Sequence, residues 1–389
     1  MGVCVEPAVG TGATTDTGEA TMFESGSESA ASSSSGSGSS SGSGSSSAGT
    51  DDTCPALVAS GPVEVTADNQ VIEGLRITAD GEPGILVQNH RGVIIRDCEI
   101  HHLDGPGIEF AAADDLWIDN VIIVHDRADI GPHEHLDQAN IKGNSSDGLV
   151  IERTRVTRGS SGIQLAGTPS AVLRMIEGHD IRGPGPPASF ISVTASDEVL
   201  IEDFSCINPL DTGRTESLIE LRESSNVTVR RGLLDGSNAE FGYGVLFLQT
   251  AGQQTGGLVE DVDVIRMTNG GFSGFPSAYE LIFRRTRARE NICEIVSVPV
   301  PDCSSEPGPN GGCPPGSGGR TWAASPAVTG LIIEESVYFD VCSSPVWPES
   351  AFSTCDGDSA SLPEGDCGLT QEDFELRPAI EIQPCWEGS

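Results

Sequence analysis

The sequence is poor in basic residues and almost devoid of lysine. Lys142 is the only lysine, and 21 basic residues stand against 58 acidic ones, which gives a formal net charge of −37. Because the summed field of such a chain repels polyanions, we expect no nucleic acid partner and no anionic lipid surface. A local cationic groove is still compatible with this charge, since salt screens each charge within about 8–10 Å.

Long hydrophobic runs are also missing. No stretch approaches the roughly 18 consecutive apolar residues that a membrane-spanning helix requires, so we expect no transmembrane span. The first residues lack the basic segment and the following apolar segment that mark a secretory signal. A role outside the cell must therefore be argued from the cysteines and the linker.

Cysteine is concentrated near the C-terminus. Seven of the 11 cysteines follow residue 290 in loop-like sequence without the CxxC spacing of a metal site, namely Cys293, Cys303, Cys313, Cys342, Cys355, Cys367 and Cys385. We expect disulfides and an extracellular or cell-surface location, with reduced thiols in a cytosolic protein as the alternative. The odd count leaves one cysteine over, and Cys4 is the candidate for a lipid anchor.

Three segments differ in composition. Residues 1–53 carry acids but no base, and from Ser25 to Thr50 they read SGSESAASSSSGSGSSSGSGSSSAGT. Such a composition cannot bury a core and predicts a disordered, flexible linker. Residues 54–345 contain the apolar repeats described next, and residues 346–389 are predicted to form a Cys-rich C-terminal cap.

A repeat appears when short apolar segments after Cys54 are aligned on one residue. The aligned residues are Ile72, Ile95, Ile118, Ile151, Ile176, Ile201, Val229, Val259, Phe283 and Ile333. The basic spacing is 23 to 25 residues with a few insertions, and a charged residue follows each aligned position. An inward apolar residue followed by an outward charged one is the alternation of a β-strand.

A second apolar stretch lies between successive aligned residues, as in GIEF, NIKG, GIQL, FISV, LIEL and GVLF. Short strands separated by Gly, Asn, Ser and Asp turns predict one coil of a parallel solenoid per repeat. This pattern resembles the right-handed parallel β-helix repeat family, within the pectin-lyase-like superfamily. The resemblance implies an all-β solenoid of about ten coils. It leaves lyases, hydrolases, epimerases and non-enzymatic adhesins open.

One coil is longer than its neighbours. The repeat from Ile118 to Ile151 has ten extra residues, which fall within VHDRADIGPHEHLDQAN. Insertions in solenoids map to loops that often form the binding face. On the following strand we expect Asn140 and Lys142 to point outward.

Stacking the strands extends this outward face over several coils. The spacing predicts that Glu109 lies one coil below Asn140, with Gln164, Ser192 and Glu220 above it. Arg222 would then lie about 14 Å up the column from Lys142. We assign Asn140 and the set Glu109, Gln164, Glu220 and Arg222 to substrate binding; the alternative for Glu220 and Arg222 is an outward salt-bridge ladder.

These residues suggest a uronate lyase acting on a polysaccharide or cell-surface glycan. Lys142 or Arg158 would take the proton α to the carboxylate, and His135 would assist. Asp126, Asp129 and Asp137 offer the oxygen ligands that Ca²⁺ prefers. The alternatives are a solvated Lys142 paired with Glu109 and loop carboxylates without a metal.

Other interpretations stay open. His125, His133 and His135 can ligate a transition metal, or they can belong to a polar turn. A non-catalytic, tethered solenoid that binds glycans or protein partners is the second functional hypothesis. A glycoside hydrolase is the third, because the pair in ADD at residues 113–115 lies in a predicted turn, G-H-G is absent, and R-x-K is impossible around the only lysine. We expect a monomer.

Overall fold

The structure is a computed structural model. It describes residues 56–126, 138–183, 188–209, 215–237, 242–248, 254–267, 270–274, 278–289, 320–324, 332–338, 375–384 and 386. All of these lie in one compact unit, Thr53–Ser389. In this part of the chain no helix has the length and apolar character that crossing a membrane requires.

The regular secondary structure consists of short β-strands. The first twelve are β1 (Val58–Ser60), β2 (Val63–Glu64), β3 (Val71–Glu73), β4 (Leu75–Ala79), β5 (Ile85–Gln88), β6 (Ile94–His102), β7 (Ile108–Ala111), β8 (Trp117–His125), β9 (Ala139–Asn144), β10 (Val150–Thr157), β11 (Ser161–Ala166) and β12 (Val172–His179). The others are β13 (Ser189–Thr194), β14 (Leu200–Ile207), β15 (Ser217–Arg222), β16 (Val227–Ser237), β17 (Tyr243–Leu248), β18 (Gln254–Met267), β19 (Gly270–Gly274), β20 (Ala278–Arg284), β21 (Arg287–Arg289), β22 (Arg320–Ala324), β23 (Ile332–Glu334) and β24 (Val337–Tyr338).

The strands form two parallel sheets that the chain visits alternately. Sheet A has the order β1-β4-β6-β8-β10-β12-β14-β16-β18-β20-β23, and sheet B has the order β2-β5-β7-β9-β11-β13-β15-β17-β19-β22. Each turn of the chain therefore adds one strand to each sheet, which is the coil of a solenoid. The predicted right-handed parallel β-helix is confirmed.

The aligned apolar residues form a buried column in sheet A, with one exception. Ile151 pairs with Leu173, and Leu173 pairs with Ile201, so Leu173 occupies the position that we assigned to Ile176. Ile176 instead pairs with Thr154 and Phe204, three positions farther along each strand. The prediction for Ile176 was wrong because both leucine and isoleucine point inward there.

A bend in every coil explains this ambiguity. The residue two positions after each column residue has a left-handed backbone, at Gly74, Asp97, Asn120, Arg153, Met175, Asp203, Arg231, Asp261, Arg285 and Glu335. A left-handed residue interrupts strand alternation, so two outward positions separate two inward ones. A non-glycine residue in this conformation costs about 1–2 kcal/mol, and the bend therefore needs compensation.

Ion pairs between neighbouring coils supply such compensation along the outer side of the bend. Arg153 contacts Asp119 through two nitrogens, and the buried Glu202 accepts hydrogen bonds from Arg174, Arg230 and Arg231. Burial alone would raise the pKa of Glu202, but the three guanidinium groups outweigh it and lower this pKa to about 2. The charged residues that follow the aligned positions therefore link neighbouring coils.

One of the two corners between the sheets has constant length. This constant corner consists of the four-residue turns 89–92, 112–115, 145–148, 167–170, 195–198 and 223–226, each with left-handed residues at both ends. The second positions of the last four turns carry a ladder of buried hydroxyls. Ser196 Oγ accepts from Thr168 N–H at 2.8 Å, and Ser224 Oγ accepts from Ser196 N–H at 3.0 Å. Each of these two serine hydroxyls thus accepts a hydrogen bond from a main-chain N–H in the turn of the preceding coil.

The other corner varies in length from coil to coil. This variable corner leads from sheet A to sheet B and consists of residues 80–84, 103–107, 126–138, 158–160, 180–188, 208–216, 238–242 and 268–269. The predicted insertion lies here, but residues 127–137 are outside the described part of the chain. Between β5 and β17, every large difference between coils therefore falls on one edge of sheet B.

The domain boundaries and the disulfides stay predictions. Among the described residues the cysteines are Cys98 and Cys206, which are both buried and unpaired, whereas Cys4 and the seven C-terminal cysteines lie outside these ranges. Burial raises the pKa of Cys98 to about 11. Of the predicted cap, residues 375–384 and 386 are described, and residues 377–382 contact sheet A.

Candidate functional site

The outward column of sheet B is centred on Lys142. Lys142 pairs with Glu109 below and Gln164 above, and Gln164 leads on to Ser192 and Glu220. We predicted this column around Asn140, so that prediction was wrong by two residues. The predicted neighbours are otherwise confirmed, and they now surround the only lysine of the chain.

Only the lower part of this column is open. Glu109, Lys142 and Gln164 are half-buried, whereas Ser192 is 3% and Glu220 is 1% exposed. Glu220 accepts two hydrogen bonds from Arg222 on its own strand, at 3.0 and 2.8 Å. A ligand on this face can therefore reach the coils of β7, β9 and β11, whereas the Glu220 carboxylate is buried and paired with Arg222.

Asn140 is buried instead of pointing outward. It has no exposed surface, its Oδ1 lies 2.8 Å from His102 Nε2, and its Nδ2 donates to Ser161 O at 3.4 Å. The expected alternation fails because the first residues of β9 pack into the variable corner. Asn140 thus positions the strand that carries Lys142. Its predicted outward orientation was wrong, and its assignment to substrate binding stays a prediction.

Two stacked histidines lie beneath this corner. His102 and His125 end β6 and β8, occupy the same position in neighbouring coils, and have ring centroids 4.9 Å apart in an edge-to-face arrangement. His102 Nδ1 lies 2.6 Å from Gly105 O. Burial lowers the pKa of both histidines and outweighs the oxygen partners that favour protonation.

Gln138 fixes the tautomer of His125. Its Nε2 donates to Asp104 Oδ1 at 3.1 Å, which turns its Oε1 toward His125 Nε2. Leu103 O also lies 2.8 Å from His125 Nε2. The proton of the neutral ring therefore sits on Nε2, and Nδ1 retains a buried lone pair that has no hydrogen-bond partner.

Arg158 occupies the tight part of the variable corner beside these groups. It has a left-handed backbone at φ 64, and its N–H donates to His179 O at 2.9 Å. A Cβ on the following Gly159 would lie 2.8 Å from Asn140 Nδ2, so this turn needs glycine to pack against Asn140. Burial is the main cause of the lowered pKa of His125, and the hydrogen bonds to Gln138 and Leu103 oppose it. The positive charge of Arg158 lowers this pKa further.

A surface network lies next to the buried pair. His101 Nδ1 and Nε2 lie 2.9 Å from Asp126 Oδ1 and Glu99 Oε1, respectively, and Arg76 donates to Glu99 at 2.8 Å. Burial would lower the pKa of His101, but the two carboxylates outweigh it and raise this pKa. Asp126, a predicted calcium ligand, is thus an ion-pair partner of histidine.

The predicted metal sites cannot be placed further. Asp129, Asp137, His133 and His135 lie outside the described residues. Within the described ranges no three His, Cys, Asp or Glu side chains are grouped in a way that would hold a metal ion. Calcium and a transition metal therefore stay predictions.

The arrangement offers two kinds of chemistry. The open column presents one amine between a carboxylate and an amide, which can bind a carboxylated sugar or exchange a proton with it. The corner behind it supplies neutral imidazoles, amides and a guanidinium held by packing, which suits positioning. Sequence reasoning missed His102, although its 23-residue spacing from His125 equals the repeat and was a usable signal.

A family model described as "Right handed beta helix region" matches residues 62–175. This match confirms the resemblance that the repeats indicated, and it includes β7, β9 and β11, which carry the open column. No curated protein matches the chain.

Several solved structures are similar in fold. The surface protein and adhesin PfbA of Streptococcus pneumoniae is 7% identical, with 70% of this chain and 75% of that chain covered and a TM-score of 0.43. The Dettilon tailspike protein is 11% identical, with 73% and 56% covered and a TM-score of 0.46. Pectate lyase Pel9A is 8% identical, with 84% and 90% covered and a TM-score of 0.35. Likeness at this level carries no argument about function.

Proposed function

We propose that this chain, which carries a right-handed β-helix region, acts outside the cell on a uronate-containing polysaccharide by lyase-type β-elimination. The observation that supports this proposal is the position of Lys142. It is the only lysine, it stands half-buried in the open column between Glu109 and Gln164, and it belongs to the coil in which the variable corner lengthens to residues 126–138.

In the proposed reaction a base removes the proton α to the sugar carboxylate. The electron pair left on that carbon forms a double bond to the neighbouring carbon, whose bond to the glycosidic oxygen breaks, and the leaving oxygen takes up a proton. Lys142 would take the first proton, and Arg158 would balance the substrate carboxylate. In this proposal His135 would assist the proton transfer, and Asp126, Asp129 and Asp137 would hold calcium.

The local structure supports Lys142 as a positioned group. Gly143, the next residue, leaves room for the buried ring of Phe110 in the coil below, because a side chain there would overlap that ring. Asn140 anchors the same strand to His102 on the inner side. The backbone that carries Lys142 is therefore fixed from below and from the corner.

The test measures absorbance at about 235 nm, where unsaturated uronates absorb, with a panel of uronate polysaccharides and with or without Ca²⁺. We expect the wild type to give a rise that Lys142→Ala reduces at least about 100-fold, the lower range for a general base. Arg96→Ala is the matched control, because Arg96 is an exposed cation on sheet A and should keep full activity.

The other outcomes separate the alternatives. If both variants lose the rise in absorbance, the loss of a positive charge anywhere would explain it, and a specific role of Lys142 would be contradicted. New reducing ends without a rise in absorbance would indicate a hydrolase. Glycan or protein binding without any product would indicate the non-catalytic, tethered solenoid, which the mutual pairing of Glu220 and Arg222 favours.

A further inference from the structure

The segment 375–384 runs along the outside of sheet A. Three of its main-chain N–H groups donate to side chains: Arg377 N–H to Asp263 at 2.7 Å, Ile380 N–H to Ser205 Oγ at 3.0 Å, and Ile382 N–H to Glu177 at 2.7 Å. The Ser205 hydroxyl also donates to Ile380 O at 3.2 Å, and Arg155 donates to Ile382 O. We call these residues of the chain the C-terminal segment.

The side chains of sheet A that bind the C-terminal segment occupy the same position in successive coils. They form a single outward column of sheet A, consisting of Arg155, Glu177, Ser205, Leu233 and Asp263. The coils are about 4.8 Å apart, so Asp263 and Glu177 are about 14 Å apart along the axis. An extended chain covers about 16 Å from residue 377 to residue 382, which matches this span closely.

The burial of residues 381–384 of the C-terminal segment alternates as in an extended chain. Ile382 and Pro384 are buried, whereas Glu381 and Gln383 are exposed. Its inward side chains rest on the sheet, and its main-chain hydrogen bonds go to side chains of the column instead of to a neighbouring strand. The side chain of Arg377 also donates to Asp261, outside the column, at 2.9 Å. The recognition is therefore mainly of backbone groups and of an apolar residue at position 382.

The column is organised independently of the C-terminal segment. Glu177 is held by Arg155 at 2.9 Å and by His179 at 2.7 Å, and the Asp263 carboxylate forms an ion pair with Arg287. With the C-terminal segment in place, the side chains of Glu177 and Asp263 are 4% and 0% exposed. Groups that neighbouring coils already orient lose little freedom when a ligand binds, which favours affinity.

We propose that this column is a preformed binding site for the main chain of an extended peptide. Residues 377–382 of the chain occupy it as an intramolecular ligand. The same segment binds there as a separate peptide, or from a second copy of the chain, once the attached segment is released. The site lies on sheet A and is independent of the proposed reaction on sheet B.

The experiment uses the full chain and a fluorescent peptide with the sequence of residues 375–384. Ile380→Pro with Ile382→Pro removes two donor N–H groups from the attached segment and should release it. We expect this double variant to bind the peptide at least about tenfold more tightly than the wild type, whose attached segment competes at high effective concentration. A peptide with the same two prolines is the matched control and should not bind.

Two further measurements keep the proposal falsifiable. Adding Ser205→Ala to the released variant should weaken peptide binding, because one hydroxyl serves both N–H and C=O of Ile380. In the wild type, amide exchange should be slow at Ile380 and Ile382 and fast at Ala379 and Glu381. A folded double variant that binds no more peptide than the wild type would overturn the proposal. If that variant does not fold, equal exchange rates at the four amides would overturn it instead.

Discussion

The two corners that join sheet A to sheet B differ in length and in how their polar groups are satisfied. The constant corner repeats four residues in six successive coils, and its buried hydroxyls bond to the next coil. The variable corner ranges from residues 268–269 to residues 126–138. Among the described residues, five of the seven buried side-chain atoms without a hydrogen-bond partner lie beside it: His125 Nδ1, Ser189 Oγ, Asn208 Nδ2, Thr215 Oγ1 and Ser217 Oγ.

This contrast separates the part that sets the register from the part that is free to carry function. Buried polar groups normally find partners, and each exception calls for an explanation. In the constant corner the buried polar groups are hydrogen-bonded to the neighbouring turn, which keeps successive coils in the same register. The variable corner tolerates insertions and unpaired atoms, which places the open column of Lys142 next to the most changeable edge of the solenoid.

The largest expected effect is on the free energy of unfolding, when a buried serine is replaced by alanine in the constant corner and not in the variable corner. Ser196→Ala removes the acceptor for Thr168 N–H and should lower the free energy of unfolding by about 1–3 kcal/mol, since a buried donor is left unpaired. Ser189→Ala is the matched control, because its equally buried hydroxyl has no partner. Urea denaturation should show a change of less than about 0.5 kcal/mol for Ser189→Ala. Equal losses would contradict the distinction between the corners.

A smaller effect is expected from Asn140, which links the variable corner to the strand of Lys142. Asn140→Ala leaves His102 Nε2 without its partner and should destabilise the fold by about 1–2 kcal/mol. Asn144→Ala, at an exposed position of the same strand, should change stability by less than about 0.5 kcal/mol. Thermal and chemical unfolding of the two variants check this. A loss of catalysis in Asn140→Ala without any loss of stability would instead assign Asn140 to the substrate.

The smallest expected effect is a pH dependence that distinguishes His102 from its neighbour His101. The pKa of His102 is lowered from the ordinary value of 6.5, so the unfolded chain takes up a proton first as the pH falls through 6.5. Stability must then decrease below that pH. The pKa of His101 is raised, so its contribution is fully present below 6.5 and is lost as the pH rises through the raised value.

Substitution by asparagine tests the two signs. His102→Asn should make the loss of stability below pH 6.5 shallower, whereas His101→Asn should alter the profile above pH 6.5. The measurement is the free energy of unfolding by urea between about pH 5 and pH 8.5. Identical profiles for the two variants would show that burial does not separate these adjacent histidines.

Much of the candidate site could be predicted, because the repeat spacing stacks strands at fixed intervals. Glu109 and Gln164 were correctly placed in one outward column, but we centred it on Asn140 instead of Lys142. Simple alternation predicts that both residues point outward. Only the packing of the corner against His102 decides that Asn140 turns inward.

The sequence by itself determined the parallel β-helix, since apolar residues at a spacing of 23 to 25 can only be buried together by stacking coils. It also determined nine of the ten positions in the buried column of sheet A. Tertiary structure decided between Leu173 and Ile176, because the left-handed bend turns residues three apart to the same side. It alone brought the C-terminal segment onto Glu177, because this contact joins residues 205 positions apart and follows from no repeat in the sequence.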